Sequence, residues 1–596
     1  MKKILILLAV IALAIAIIFV IASRDEVEYT HTHKISHIDA VAPTCEKGGN
    51  KAHWKCSDCH KLFFDAEGKD PTSTSHVNLP IKHNYVNDVC SLCDANLFEF
   101  TLNSDNSSYT LTNIDANYTG NLIIPATYNG LPVTQIGNDD YWTIVYFNPD
   151  IDSITIPETV TVLSSSVLSA NFSQINVDEN NPKYKSIDGN LYTKDGKTLL
   201  LYASKKRDTH FTIPDGVENI GVPLLGGGII PLNVIDYSRT LMSITIPESV
   251  KSYDYISSFG NLIEIINHSD LVEPTSALLT HSGDESRIVN KDGFLFVTAN
   301  DDINYLVKYI GNDTEITLPE SYNGENYIIY DYAFAQLSKL TSITIPDTVD
   351  EIRSGVFNEC TSLSKISIGK SVNRIANLTP DNVDVSFTGT QTTFEDCISL
   401  SEINVSPENE TFKSVDGNLY MKDGKTLIRY AVGKIEKSFA VPDTVEKIAE
   451  VAFYSAYSLE NVSFPSSLKT ISSSAFADCI GLTEINIPDT VTDIEYGAFS
   501  GCESINSLTL NQETIGACAF SYCKNLKTVV IGSNVKHIEM YSFYMCDKLE
   551  SVTFESTEGW FIDYYGSDNT PIDVSDPKQN AKNLLSEYLD VSLSKE

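Results

Sequence analysis

The chain is short of basic charge. Its 596 residues hold 42 Lys and Arg against 79 Asp and Glu, a formal charge of −37. That balance argues against nucleic acid or an anionic membrane surface as partner. The local signatures of catalysis are missing too: there is no His-Glu-x-x-His, no Gly-x-Ser-x-Gly elbow and no Gly-x-x-x-x-Gly-Lys-Ser/Thr phosphate loop. His210, His268, His281 and His537 are scattered along the long C-terminal part of the chain without partners at any fixed spacing. These absences point away from an enzyme. After residue 22 no apolar run is long enough to span a bilayer, and no sorting motif stands at the C-terminal end.

What is present begins with Lys2-Lys3 and an uncharged apolar run of 19 residues, Ile4 to Ala22. Residues 1–23 are therefore expected to form a membrane helix, either a retained anchor or a cleaved signal peptide. The preceding lysines place everything after Arg24 outside the membrane.

Residues 24–96 form a distinct module. Five of the 12 cysteines and seven of the 11 histidines fall between His31 and Cys93. Cys56-Ser-Asp-Cys59 and Cys90-Ser-Leu-Cys93 are paired Cys-x-x-Cys turns, the geometry that offers two thiolates each to one tetrahedral ion. Cys56, Cys59, Cys90 and Cys93 are thus the candidate ligands of a structural zinc, the only cofactor the sequence suggests. The gap between the pairs is longer than in most such ribbons, so Cys45, His33, His37, His53, His60 and His83 stay open as alternatives, as do two disulfides in an oxidising exterior.

From Leu97 the chain repeats itself. Phe453, Phe476 and Phe499 are 23 residues apart, as are Cys479 and Cys502, and Phe334 and Phe357. A fixed period in the twenties is the mark of a solenoid. In the unit beginning at Cys479, Leu482, Ile485 and Ile487 follow L-x-x-L-x-L, so Ile485 and Ile487 share one face of a short strand that Pro488 ends. Val491 and Ile494 turn the chain inward, and Ala498-Phe499 followed by Cys502 reads as a short helical or irregular return. Recurrences such as Ile154-Thr-Ile-Pro157, Ile343-Thr-Ile-Pro346 and Ile485-Asn-Ile-Pro488 lead to roughly 17 turns and a rod of about 80 Å at strand spacing. Cys360, Cys397, Cys479, Cys502, Cys523 and Cys546 share one repeat position and are expected as buried thiols acting as small hydrophobes. Cys518 aligns instead with Ser474.

A second element is nested in the first. Lys185-Ser-Ile-Asp-Gly-Asn-Leu-Tyr-Thr-Lys-Asp-Gly-Lys-Thr-Leu199 returns 228 residues later at Lys413 to Leu427, and Asn290-Lys-Asp-Gly-Phe-Leu-Phe296 is a weaker copy. Asp-Gly between apolar runs favours tight hairpins. In residues 555–596, Trp560 precedes Asp576-Pro577, an N-cap and first helical residue, and Ala581, Leu584, Leu585, Tyr588 and Leu589 then fall on one helical face as a cap.

With these motifs in view, residues 97–596 resemble the BspA-like leucine-rich-repeat proteins of bacterial surfaces, and the Cys/His module is similar to small cysteine-rich units found beside such repeats. The fold class expected is α/β to mainly β: a leucine-rich-repeat solenoid with parallel strands over 97–554, preceded by the membrane helix and the small module. The resemblance implies an exported cell-surface protein that binds protein or cell-surface ligands in adhesion; it supplies no ligand residues. The alternatives are a passive spacer displaying residues 24–96 and, less favoured, a scaffold for an enzyme. The outward strand residues Thr155, Thr245, Thr344, Ser367, Asn404, Ser463, Asn486, Thr509 and Thr553 form a ladder of small polar groups without aromatic or Arg anchors. Specific recognition is therefore expected where the repeat is interrupted, at Gly221 to Ser238 and Asn377 to Thr392.

Overall fold

The computed structural model describes residues 34–595 apart from internal gaps, the longest being 138–150, 222–239, 254–261 and 377–392. The apolar segment 4–22 lies outside the described residues. Among the described residues no helix is long and apolar enough to cross a membrane.

The architecture is mainly β, a parallel-strand solenoid of about 16 turns. Each regular turn contributes two strands. In the unit from Cys479, Glu484–Ile485 lies on a first face and Asp493–Ile494 on a second. Pro488 stops the first strand, and the N–H of Val491 bonds back to its carbonyl at 3.0 Å to make the corner. Alternation on the first face is clear in the last turns: Ser551–Phe554 runs half-exposed, buried, exposed, buried. The stacked inward residues, such as Ile343, Ile366 and Ile403, are essentially fully buried, which is where the hydrophobic gain of stacking arises.

In the last turns the third side takes the irregular form of the expected helical or irregular return, and there three backbone bonds per turn run to the next turn. Ser474, Phe476 and Asp478 donate to the carbonyls of Tyr496, Ala498 and Ser500 at 2.8–2.9 Å, and Cys518, Phe520 and Tyr522 donate likewise to Met540, Ser542 and Tyr544. To aim these groups, two residues per turn adopt left-handed backbone, among them Ser474 and Asp478, Cys518 and Tyr522, Tyr541 and Met545. The alignment of Cys518 with Ser474 thus reflects a shared φ of 57° and 52°.

Three Asp-Gly hairpins divide the array into blocks. Tyr184–Ile187 pairs with Asn190–Thr193, Val289–Lys291 with Phe294–Thr298 and Phe412–Val415 with Asn418–Met421, all antiparallel, and each pair opens a new second-face sheet. Asp188-Gly189, Asp292-Gly293 and Asp416-Gly417 all have positive φ, as a two-residue hairpin turn demands. The turn also completes the preceding first-face strand: Ile175 donates to Gly189 and Ile403 to Gly417, at 2.8 and 2.9 Å.

Ahead of two of these hairpins stands a fully buried asparagine. Asn409 donates to the carbonyls of Gly369 and Val372 and accepts from the N–H groups of Thr411 and Phe412; Asn181 makes the same four contacts with Pro157, Val160, Lys183 and Tyr184. At the far end the helix Pro577–Leu584, N-capped by Asp576, packs against the last first-face strand, Ser551–Phe554. Ser592–Lys595 pairs antiparallel with His537–Ile538, so the second-face sheet is continued by the tail.

Asn409→Ala strands two carbonyls and two N–H groups in a dry interior. A loss of about 3 kcal/mol or more in unfolding free energy is expected, read by urea denaturation against Asn404→Ala, which alters the half-exposed outward side of the adjacent strand.

Candidate functional site

The four proposed zinc ligands occupy different local settings. Cys56 ends the strand His53–Cys56 and is buried in a small cluster with Phe63, flanked by Ile35 and Trp54. Cys90 ends Val89–Cys90, a hairpin strand paired with Tyr85–Val86, while Cys93 is exposed. That hairpin leans on the start of the solenoid: the Tyr85 hydroxyl donates to Asp115, and the Tyr85 and Tyr118 rings lie 6.1 Å apart. Cys59, Cys45, His33, His60 and His83 fall outside the described residues. Among the described residues no three His, Cys, Asp or Glu side chains gather as a metal-holding group. His37 pairs with Asp39 at 2.9 Å, and His53 contacts the Lys51 carbonyl at 2.8 Å.

The outward polar ladder stands where the alternation places it. Thr344, Ser463, Asn486, Thr509 and Thr553 are exposed, and Thr155, Thr245, Ser367 and Asn404 are half-buried. Both interruptions, apart from Gly221, lie outside the described residues.

Three histidines of the repeat region, His210, His281 and His537, have partners brought by stacking. His210 Nδ1 lies 2.6 Å from Ser243 Oγ on the neighbouring strand. His537 Nδ1 lies 3.0 Å from Ser594 Oγ in the tail. His281 Nε2 meets Glu264 Oε1 at 2.9 Å with both side chains buried, while the Gly283 N–H donates to His281 Nδ1. Nδ1 therefore accepts and Nε2 carries the proton toward the carboxylate. Neither histidine bonded to a serine has a carboxylate on its other nitrogen, so the nucleophile–base–orienter order of hydrolytic triads is not formed.

Two features were missed by sequence reasoning. One is an exposed tyrosine edge on the third side of the last turns. Tyr496, Tyr522, Tyr541 and Met545 are 41%, 44%, 37% and 43% exposed. Tyr544 packs edge-on against both Tyr522 and Tyr541, with ring centroids 5.5 and 5.9 Å apart. The left-handed positions cause this, because they turn Tyr522, Tyr541 and Met545 outward regardless of hydropathy. The other is a ledge of half-buried acids on the same side in earlier turns. Burial pushes the carboxyls of Asp331, Glu395, Glu450 and Asp478 above the ordinary carboxylate range. Lysine-paired acids beside the strands behave oppositely: hydrogen bonds from Lys425 and Lys469 hold Glu446 down to about 2.

Groups raised on folding bind protons more tightly in the native chain, so stability falls as pH rises through the window above the ordinary carboxylate range. Melting temperature is expected to increase when pH is lowered from about 7 to about 5, and to decline at lower pH as Glu446 and the similarly depressed Glu218 lose their lysine partners. A fluorimetric melting series across that range checks the sign.

Comparison with known proteins gives one family match: the profile described as BspA type leucine rich repeat region fits residues 304–414 and 434–550, in six copies. Among solved structures, the chain is 21% identical to a leucine rich cell surface protein of Faecalibacterium prausnitzii, with 78% of this chain and 94% of that one covered at a TM-score of 0.36. It is 20% identical to the pneumococcal vaccine antigen PcpA over 79% and 89% of the two chains, TM-score 0.29. A leucine-rich repeat protein of Eubacterium ventriosum is 20% identical over 44% and 83%, TM-score 0.31. No curated protein matches in sequence. Residues 304–414 and 434–550 are thus BspA-type leucine-rich repeats.

Proposed function

We propose that the protein is an exported, surface-displayed binding protein of the adhesion type, held by its N-terminal segment and presenting the solenoid to protein or cell-surface ligands. The observation that carries this reading is the tyrosine edge. Tyrosine supplies large contact area at small entropic cost and dominates binding energy at most interfaces, whereas most of the remaining described surface is small, polar or acidic. Three exposed tyrosines and a methionine stand together on adjacent turns of one side. The repeat family, which the resemblance links to adhesion, agrees with it. A passive spacer would have no need of such an edge. The two interruptions remain secondary contact candidates.

The test is display of the full chain on a heterologous bacterium, with saturable binding measured to immobilised matrix proteins and to other cells. The triple variant Y496A/Y522A/Y541A is expected to weaken binding at least tenfold, about 1.4 kcal/mol or more, without lowering the melting temperature. Undiminished binding by that variant removes the edge from the reading.

For residues 24–96 the proposal is a structural zinc on Cys56, Cys59, Cys90 and Cys93, supported by the burial of Cys56 and Cys90 at strand ends. Elemental analysis should find roughly one zinc per chain. Chelation should unfold the module while the solenoid's melting transition persists. Two Cys–Cys cross-links in the purified chain, seen as a mass deficit in peptide mapping, would replace this assignment.

A further inference from the structure

The outer side of the first face is not uniform. Over the three strands Ser438–Ala440, Asn461–Ser463 and Glu484–Ile485 it opens into a groove of about 420 Å³. These strands form a sheet of their own, separate from the sheet that begins at Ser507–Leu510. Registry sets Ser438, Asn461 and Glu484 side by side in one outward row, with Ala440 and Ser463 in the next. The short side chains of Ala440 and Ser463 leave the space. Asn486 and Glu484 form one wall, joined by a 2.9 Å bond from Asn486 Nδ2 to Glu484 Oε1. The floor is the paired strand backbone at Phe439 and Val462, whose side chains face the core.

We propose that this groove binds a neutral carbohydrate, an assignment that goes beyond the tyrosine edge and is independent of it. Four observations converge on that chemistry. First, the wall presents a carboxylate and two amides, planar groups whose paired donors and acceptors match adjacent hydroxyls, and the Glu484–Asn486 bond fixes two of them in advance. Second, a floor of paired backbone beneath a polar rim leaves contact to side-chain hydrogen bonds, which suits a ligand rich in hydroxyls. Third, Glu484 in the row and a chain charge of −37 oppose phosphorylated, sulfated or uronic ligands. Fourth, the backbone groups of the middle strand, Asn461–Ser463, are paired on both sides, so a peptide cannot add to it as a strand, and no aromatic or Arg anchor stands on the rim for a protein partner. A cation is disfavoured because a single carboxylate faces the space, and the described residues hold no cluster of three acidic or metal-ligating groups.

The Glu-x-Asn wall is a recurrent device of this face. Glu402 and Asn404 are joined in the same way at 2.7 Å, and Gln174 Nε2 bonds to Asn176 Oδ1 at 2.7 Å. At those two strands an Asp-Gly hairpin follows directly in the chain and closes the edge, with Ile403 bonded to Gly417 and Ile175 to Gly189. Only after Glu484 does an ordinary turn follow, which leaves the wall facing open space.

The experiment uses the full-length chain against immobilised neutral polysaccharides (yeast mannan, cereal β-glucan, dextran and galactan), with hyaluronan and polygalacturonate as acidic comparators. Retention by at least one neutral polymer is expected. It should fall tenfold or more in N461A/E484A and in Ala440→Tyr, which fills the groove, and stay unchanged in Thr344→Tyr, an outward substitution on the same face. All four substituted side chains point to solvent, and equal melting temperatures verify folding. No retention of any neutral polymer overturns the proposal, as does retention indifferent to Ala440→Tyr or stronger on the acidic polymers. A chain that adheres through Tyr496, Tyr522 and Tyr541 but retains no neutral polymer overturns this inference alone.

Discussion

Over its last turns the third side of the solenoid has no regular secondary structure of its own, yet each turn must pass through it with its polar groups satisfied. The solution is a spine in which a phenylalanine ring and a cysteine thiol act together. Phe453, Phe476, Phe499, Phe520 and Phe543 stack nearly parallel at 4.5–5.9 Å. The thiol of each turn donates to the phenylalanine carbonyl of the turn before: Cys479 to Phe453, Cys502 to Phe476, Cys523 to Phe499 and Cys546 to Phe520, at 3.2–3.4 Å. Cys360 and Cys397 do the same toward Phe334 and Phe357. The thiols are therefore more than small hydrophobes. Burial pushes the thiols of Cys360, Cys397, Cys479, Cys502 and Cys523 up, that of Cys360 to about 12, so these stay protonated and able to donate.

The spine explains an otherwise costly residue. Where the last hairpin interrupts the array, the turn after Phe394 carries no cysteine, and the Phe394 carbonyl, which accepts from the Cys397 N–H, would lack its second donor. Arg429 fills that position: Nη2 donates to Phe394 at 3.2 Å and Nη1 to Val451 at 2.6 Å. Its side chain is buried with Nε unpaired, a poor arrangement in isolation. It persists because it links the stack Tyr309, Phe334, Phe357, Phe394 to the stack that restarts at Tyr430. The residue 228 positions earlier is Leu201, in a part of the array where no thiol spine has to be continued.

Much of this was legible in the sequence because it obeys a local rule. The period, the Ile-x-Ile-Pro strands, the outward polar ladder and the Asp-Gly turns each follow from side-chain alternation or from a backbone demand that one residue type meets best. The third side was not legible for the opposite reason. Glycine would announce a left-handed position, and Gly497 and Gly501 do so. At the matching places in other turns stand Val451, Ser455, Tyr541 and Met545, none of them a residue that prefers positive φ; the N–H groups of Val451 and Ser455 bond to the next turn and that of Tyr541 to Leu589 in the tail. No single-residue signal marks them, and the tyrosine edge they create was invisible for that reason. The same holds for Glu264 and His281, whose pairing depends on strand stacking, and for the recognition expected at residues 377–392, which rested on repeat spacing alone.

Division of the molecule into sides has a physical consequence for binding. On the first face the backbone is consumed by rung pairing and the outward side chains are mostly polar, so contact there depends on hydrogen bonds and suits ligands that are themselves rich in hydroxyls. On the third side the left-handed positions swing large side chains clear of the stack, so contact depends on apolar area. A solenoid built this way can vary one surface without disturbing the other, because the inward residues that carry stability alternate with, but do not touch, the outward ones. Glu484 and Tyr496 show the separation: they belong to one turn, flank the buried Ile485, Val491 and Ile494, and face different sides of the molecule. Changing either leaves the shared core intact. That independence lets a repeat scaffold carry two kinds of contact on one set of buried residues.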